Sequence, residues 1–136
     1  MKYLVDFKLV LDVLEGETDG AKAAMALFEA HRADELVLAP TSYVALSPSF
    51  MGMRAMQDRF LDTLGVKVAG TAPAKVMDAA YSAWSRYQQA NPADRSGMGV
   101  FERLYIGAYA LLFDGILTRD GAFYRAYFET LRIVES

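Results

Sequence analysis

The strongest constraint on this chain is an alternation along it. Apolar runs too short for helices recur between longer segments whose apolar residues fall at helical spacing. Tyr3-Leu4-Val5, Leu36-Val37-Leu38, Val66-Lys67-Val68, Ile116-Leu117 and the stretch from Leu131 to Val134 read as strands. Between them the spacing predicts helices over 7–14, 21–32, two pieces within 42–64 separated near Gly52, then 73–89, 101–113 and 121–128. Pro40-Thr41-Ser42 is expected to cap the first of the two pieces, and Ser96-Gly97-Met98-Gly99 to form a flexible link. Repeated β–α alternation predicts an α/β fold: three layers, α/β/α, around a central, mostly parallel sheet. With 136 residues and 54% of them apolar, the chain suits one domain over 1–136 with a substantial core.

Composition removes several kinds of chemistry. With no cysteine there is no disulfide framework, thiolate metal site or cysteine nucleophile. The single histidine, His31, leaves little room for zinc, and its place near a helix end favours packing or a terminal contact. Serine hydrolysis is unsupported, because Thr41 and Ser42 have no histidine partner in view. A formal charge of −3 gives no overall field to attract nucleic acid. No apolar run is long enough to span a bilayer, and the amino terminus lacks a cleavage-site pattern, so a cytoplasmic location is expected.

In a parallel α/β fold, ligands bind beyond the carboxyl ends of the strands. Asp6, Thr41 and Asp120 each follow a strand and are expected on that rim. Asp6 also has a simple structural use, as cap of the helix that follows it. Arg103 is a cation in an otherwise apolar helix, which predicts a buried partner, since an unpaired buried charge is costly. Arg119 is either a phosphate contact or the partner of a nearby carboxylate. Met51, Met53 and Met56 read as core filling ahead of an adaptable binding groove. Phe123, Tyr124, Tyr127 and Phe128 read as core or dimer interface ahead of a base-stacking platform.

Asp6 followed by Leu9-Val10-Leu11-Asp12-Val13-Leu14 resembles the opening of PIN domains, the fold of VapC-type toxin ribonucleases. Ile106-Gly107-Ala108-Tyr109-Ala110 running into Gly115-Ile116-Leu117-Thr118-Arg119-Asp120 is similar to a second segment of that family. The carboxyl end from Phe123 to Leu131 resembles it too, and the order of elements agrees along the whole chain. The resemblance implies a Mg²⁺- or Mn²⁺-dependent endoribonuclease of single-stranded RNA, held by three or four carboxylates. Hard cations prefer such oxygen ligands, and the metal activates water for attack on phosphate. It also implies an antitoxin partner and a homodimer.

The carry-over of site residues is incomplete. Asp6 and Asp120 match the first and last acids, the metal-binding and catalytic positions. Lys8 falls within the Phe7-Lys8 pair that replaces the family's Thr-Asn. Ala45 stands where a glutamate is expected, and Arg103 where the third acid is expected. Glu102 is adjacent and is the substitute catalytic acid, but one residue along a helix turns a side chain by roughly 100°. It is therefore expected to need a local rearrangement to reach the site. With two of four acids replaced, impaired or lost activity is expected, with Lys8 and Arg103 balancing Asp6 and Asp120 in the metal's stead. The alternatives are a non-catalytic module that binds a protein partner or RNA, and an inactivated form of a working toxin.

Overall fold

A computed structural model describes residues 1–136. Its strands are β1 (Lys2–Val5), β2 (Glu35–Leu38), β3 (Val66–Val68), β4 (Gly115–Thr118) and β5 (Ile133–Glu135). All pair in parallel in the order β3-β2-β1-β4-β5. The helices are α1 (Phe7–Leu14), α2 (Asp19–Ala30), α3 (Pro40–Ala45), α4 (Arg54–Leu64), α5 (Ala74–Ala90), α6 (Phe101–Ala110) and α7 (Gly121–Tyr127). A short 3-10 turn over Ser47–Phe50 joins α3 to α4. No helix is long and apolar enough to cross a membrane.

Because side chains alternate along a strand, each central strand feeds two cores. Tyr3 and Val5, Leu36 and Leu38, and Leu117 pack with Leu9, Phe28 and Leu61 of α1, α2 and α4. Leu4, Val37 and Ile116 turn the other way, onto Val76, Ile106 and Tyr124 of α5, α6 and α7. The expected three-layer α/β/α arrangement with a parallel sheet is therefore present. Burial on both faces explains why the strands read as continuous apolar runs.

The connections also fix where a site can form. From β1 the chain moves outward through β2 to β3, then returns to the far side of β1 as β4. The switch point of the strand order lies between β1 and β4, the place where α/β folds bind ligands. Asp6 and the segment after Thr118 emerge at the carboxyl ends of these strands. Gly107 lets α6 come close to the far end of α7: a Cβ at that position would lie 2.3 Å from the Phe128 ring.

Local expectations are corrected in some places and met in others. Pro40 is itself the first residue of α3, Ala39 precedes it without a side-chain cap, and neither Thr41 nor Ser42 caps the helix. The apolar helix ends at Ala110 and not Phe113, since the last residues turn so that Asp114 N–H can reach the Lys2 carbonyl. The last strand begins at Ile133, two residues later than expected. The Ser96–Gly99 link is anchored: the Gly97 N–H donates to the Asp94 carboxylate at 3.0 Å, and Gly97 lies against Trp84. Met51, Met53 and Met56 are not core. They are exposed by 79%, 43% and 41%, because the turn at Met51-Gly52 swings outward with both residues left-handed. His31 ends α2 and bonds Asp34 at 2.9 Å. Tyr124 and Phe128 are core, with Phe123 and Tyr127 packed beside them.

Candidate functional site

Asp6 closes β1 and caps α1, and none of its surface is exposed. A buried carboxylate needs donors, and three reach it. The Lys8 N–H donates to Oδ1 at 3.1 Å, while the Thr118 hydroxyl at 2.8 Å and the Tyr124 hydroxyl at 3.2 Å donate to Oδ2. Burial, and then the charge of Asp6, push the Tyr124 phenol far above its ordinary range. It therefore keeps its proton and remains a donor.

The Thr118-Arg119-Asp120 segment distributes its three side chains among three elements. Thr118 bonds Asp6, and its hydroxyl also accepts from the Asp120 N–H at 2.9 Å. Arg119 reaches α1, where its guanidinium lies 2.7 Å from Asp12. Asp120 reaches α6, where Arg103 lies 2.8 Å from its Oδ2. The Arg103 guanidinium also covers the Phe123 ring at 4.3 Å and approaches the Gly99 carbonyl at 3.5 Å. These contacts hold it over α7, half-buried.

Arg103 has an acidic partner, as its surroundings predict, but that partner is Asp120 alone and is half-buried. The expected bridging of both aspartates by basic side chains does not occur. Asp6 is held by hydroxyls and a backbone N–H, and Lys8 contributes that N–H instead of its ammonium. Arg119 pairs with a nearby carboxylate, one of its two expected roles. Thr41 is exposed on the rim and takes no part, whereas Ser42 is fully buried with no partner for its hydroxyl.

Glu102 is half-buried on the first turn of α6. Burial raises its pKa first, and the Asp6 charge raises it further, with Lys8 opposing. No hydrogen bond or ion pair joins its carboxyl to Asp6 or Asp120. Asp12, which sequence reasoning left as part of a motif, is the other acid of the site. It is 4% exposed and its pKa is also raised, mainly by burial, with Arg119 opposing. Its position in an apolar stretch of α1 was the available signal.

The chain matches no family model and no curated protein. A divalent cation needs several oxygen ligands converging on one point. Here no three acidic or histidine side chains are grouped to hold one. Asp120 is engaged by a guanidinium, and Asp6 has spent three of its roughly four acceptor positions on fixed donors. Residues 6, 102 and 120 therefore do not fit Mg²⁺ or Mn²⁺ as they stand.

The raised acids have a measurable consequence. In the folded chain Glu102 and Asp12 hold protons more tightly than ordinary carboxyls, so folding takes up protons between the ordinary and the raised pKa. Stability is then lost as pH rises through that interval. Glu102→Gln is expected to flatten the decline and to stabilise the protein at neutral pH. Urea denaturation from about pH 4 to about pH 8 checks this, and an unchanged slope would refute it.

Proposed function

We propose that this protein is a PIN-like domain resembling VapC-type ribonucleases, in which a resident arginine has taken over the electrostatic work of the metal. In this reading, hydrolysis of single-stranded RNA is impaired or lost. What supports it is the ion pair between Arg103 and Asp120. A cation fixed beside the last acid occupies the space and repels an arriving divalent ion. The switch-point position of Asp6 and Asp120, on a parallel sheet of the expected class, agrees with the resemblance. Antitoxin-like protein partners and a homodimer belong to the same reading.

A binding experiment tests it. A ligand that binds only the folded chain at a hundred times its Kd stabilises it by about 2.7 kcal/mol. We expect the melting temperature in millimolar Mn²⁺ to equal that in chelator, and an RNA cleavage assay to stay at background. A Mn²⁺-dependent rise in Tm that Asp6→Asn abolishes, accompanied by cleavage, would overturn the proposal.

A further inference from the structure

A second concavity lies on the opposite flank of α6 from the carboxylates. It is a groove of about 710 Å³ between α5, the start of α6 and the segment before it, within the size range of small-molecule sites, roughly 300–1,000 Å³. Met77, Tyr81, Trp84, Phe101 and Leu104 are among the apolar residues that form most of its wall. Met77, Tyr81 and Phe101 are exposed by 70%, 74% and 66%, an unusual cost for rings and thioethers facing water. Gly97 builds one side. With φ at +61° and no Cβ, it lets the backbone lie directly on the Trp84 ring.

The charge around this groove is one-sided. Arg95 lines it, and no carboxylate does, although the chain carries 17 acids against 14 basic residues. The adjacent acid, Asp94, is already committed: it accepts from the Tyr87 hydroxyl at 2.7 Å and from the Gly97 N–H. Arg95 makes no ion pair or side-chain hydrogen bond of its own.

We infer that this groove binds a small amphiphilic carboxylate, with its apolar body on the Trp84 wall and its charged head on Arg95. Two other occupants are disfavoured by the same observations. Single-stranded nucleic acid needs cations spaced along a backbone, and the groove offers one. A two-fold dimer pairs a surface with its own copy, and two concave grooves do not fill each other.

Trp84 is the only tryptophan in the chain, so its fluorescence reports on the groove alone. The probe is dodecanoate, kept below the concentration at which it forms micelles. It is expected to shift Trp84 emission saturably, at one molecule per chain. Dodecanol and dodecylammonium are expected to bind about fivefold more weakly or worse, the scale of one solvent-accessible ion pair. Arg95→Glu, at an exposed position, should abolish the preference for the carboxylate while leaving the fold intact. Met77→Asp, also exposed, should weaken all three ligands. The proposal is overturned by any of three results: no saturable shift, equal binding of carboxylate and ammonium, or an oligouridylate giving the same response. It is equally overturned if Trp84 emission follows protein dilution as a dimer dissociates.

Discussion

Asp6→Ala is expected to cost about 3–5 kcal/mol of stability, or about 10–20 °C in Tm for a chain of this size. The sum has identifiable parts. Loss of the N-cap bond to the Lys8 N–H contributes about 1 kcal/mol. The larger share comes from Thr118 and Tyr124, whose hydroxyls lose their shared acceptor in a site closed to water. A stranded buried donor costs about 1–3 kcal/mol. Tyr124→Phe alone removes a donor while leaving Asp6 with two others, and should cost only about 1 kcal/mol. If the penalty in Asp6→Ala comes from orphaned hydroxyls, combining it with Tyr124→Phe costs less than the sum of the two. Urea denaturation of the four proteins decides. An Asp6→Ala variant within about 1 kcal/mol of the natural chain would mean that the carboxylate contributes little to the fold. That outcome would return Asp6 to the list of groups kept for chemistry at the expense of stability.

Asp6 was legible from sequence because two independent signals meet there, the end of an apolar strand and the start of an amphipathic helix. Its donors were not. Thr118 lies 112 residues away and Tyr124 lies 118 away, and helical spacing marks an aromatic as buried without saying what its hydroxyl meets. The same limit explains Arg103. A cation among apolar neighbours announces that it has a partner, but choosing Asp120 over Asp6 requires the register of β1 against β4. The exposed methionines follow from a backbone choice at Met51-Gly52 that composition conceals. Strand order also lies outside periodicity, since an apolar run does not say which neighbour it pairs with. The groove at Trp84 depends on how residues 94–100 fold back, which a glycine pair suggests only as mobility.

Restoring the missing acids should have the opposite character to removing Asp6: a loss of stability that a cation repairs. In Ala45→Glu/Arg103→Asp, the guanidinium on Asp120 is exchanged for a carboxylate, and another is added at the end of α3. Like charges at one rim disfavour the folded chain in chelator, so the variant should melt several degrees below the natural protein. Mn²⁺ should then raise its Tm strongly, by about 2.7 kcal/mol of linkage at a hundred times Kd. The natural chain, in the same buffers, should not respond. Cleavage of single-stranded RNA should appear in the variant at least about a hundredfold above the natural chain, which corresponds to about 2.7 kcal/mol of barrier. The two readouts separate two failures. Metal binding without cleavage would show that the rim can hold a cation but lacks the rest of a nuclease, favouring a module that binds partners. No metal response would mean that carboxylates at 45 and 103 do not converge with Asp6 on one point, although residue 103 faces Asp120. The arginine would then be an ordinary structural pair, and the proposal that it replaces a metal would fail with it.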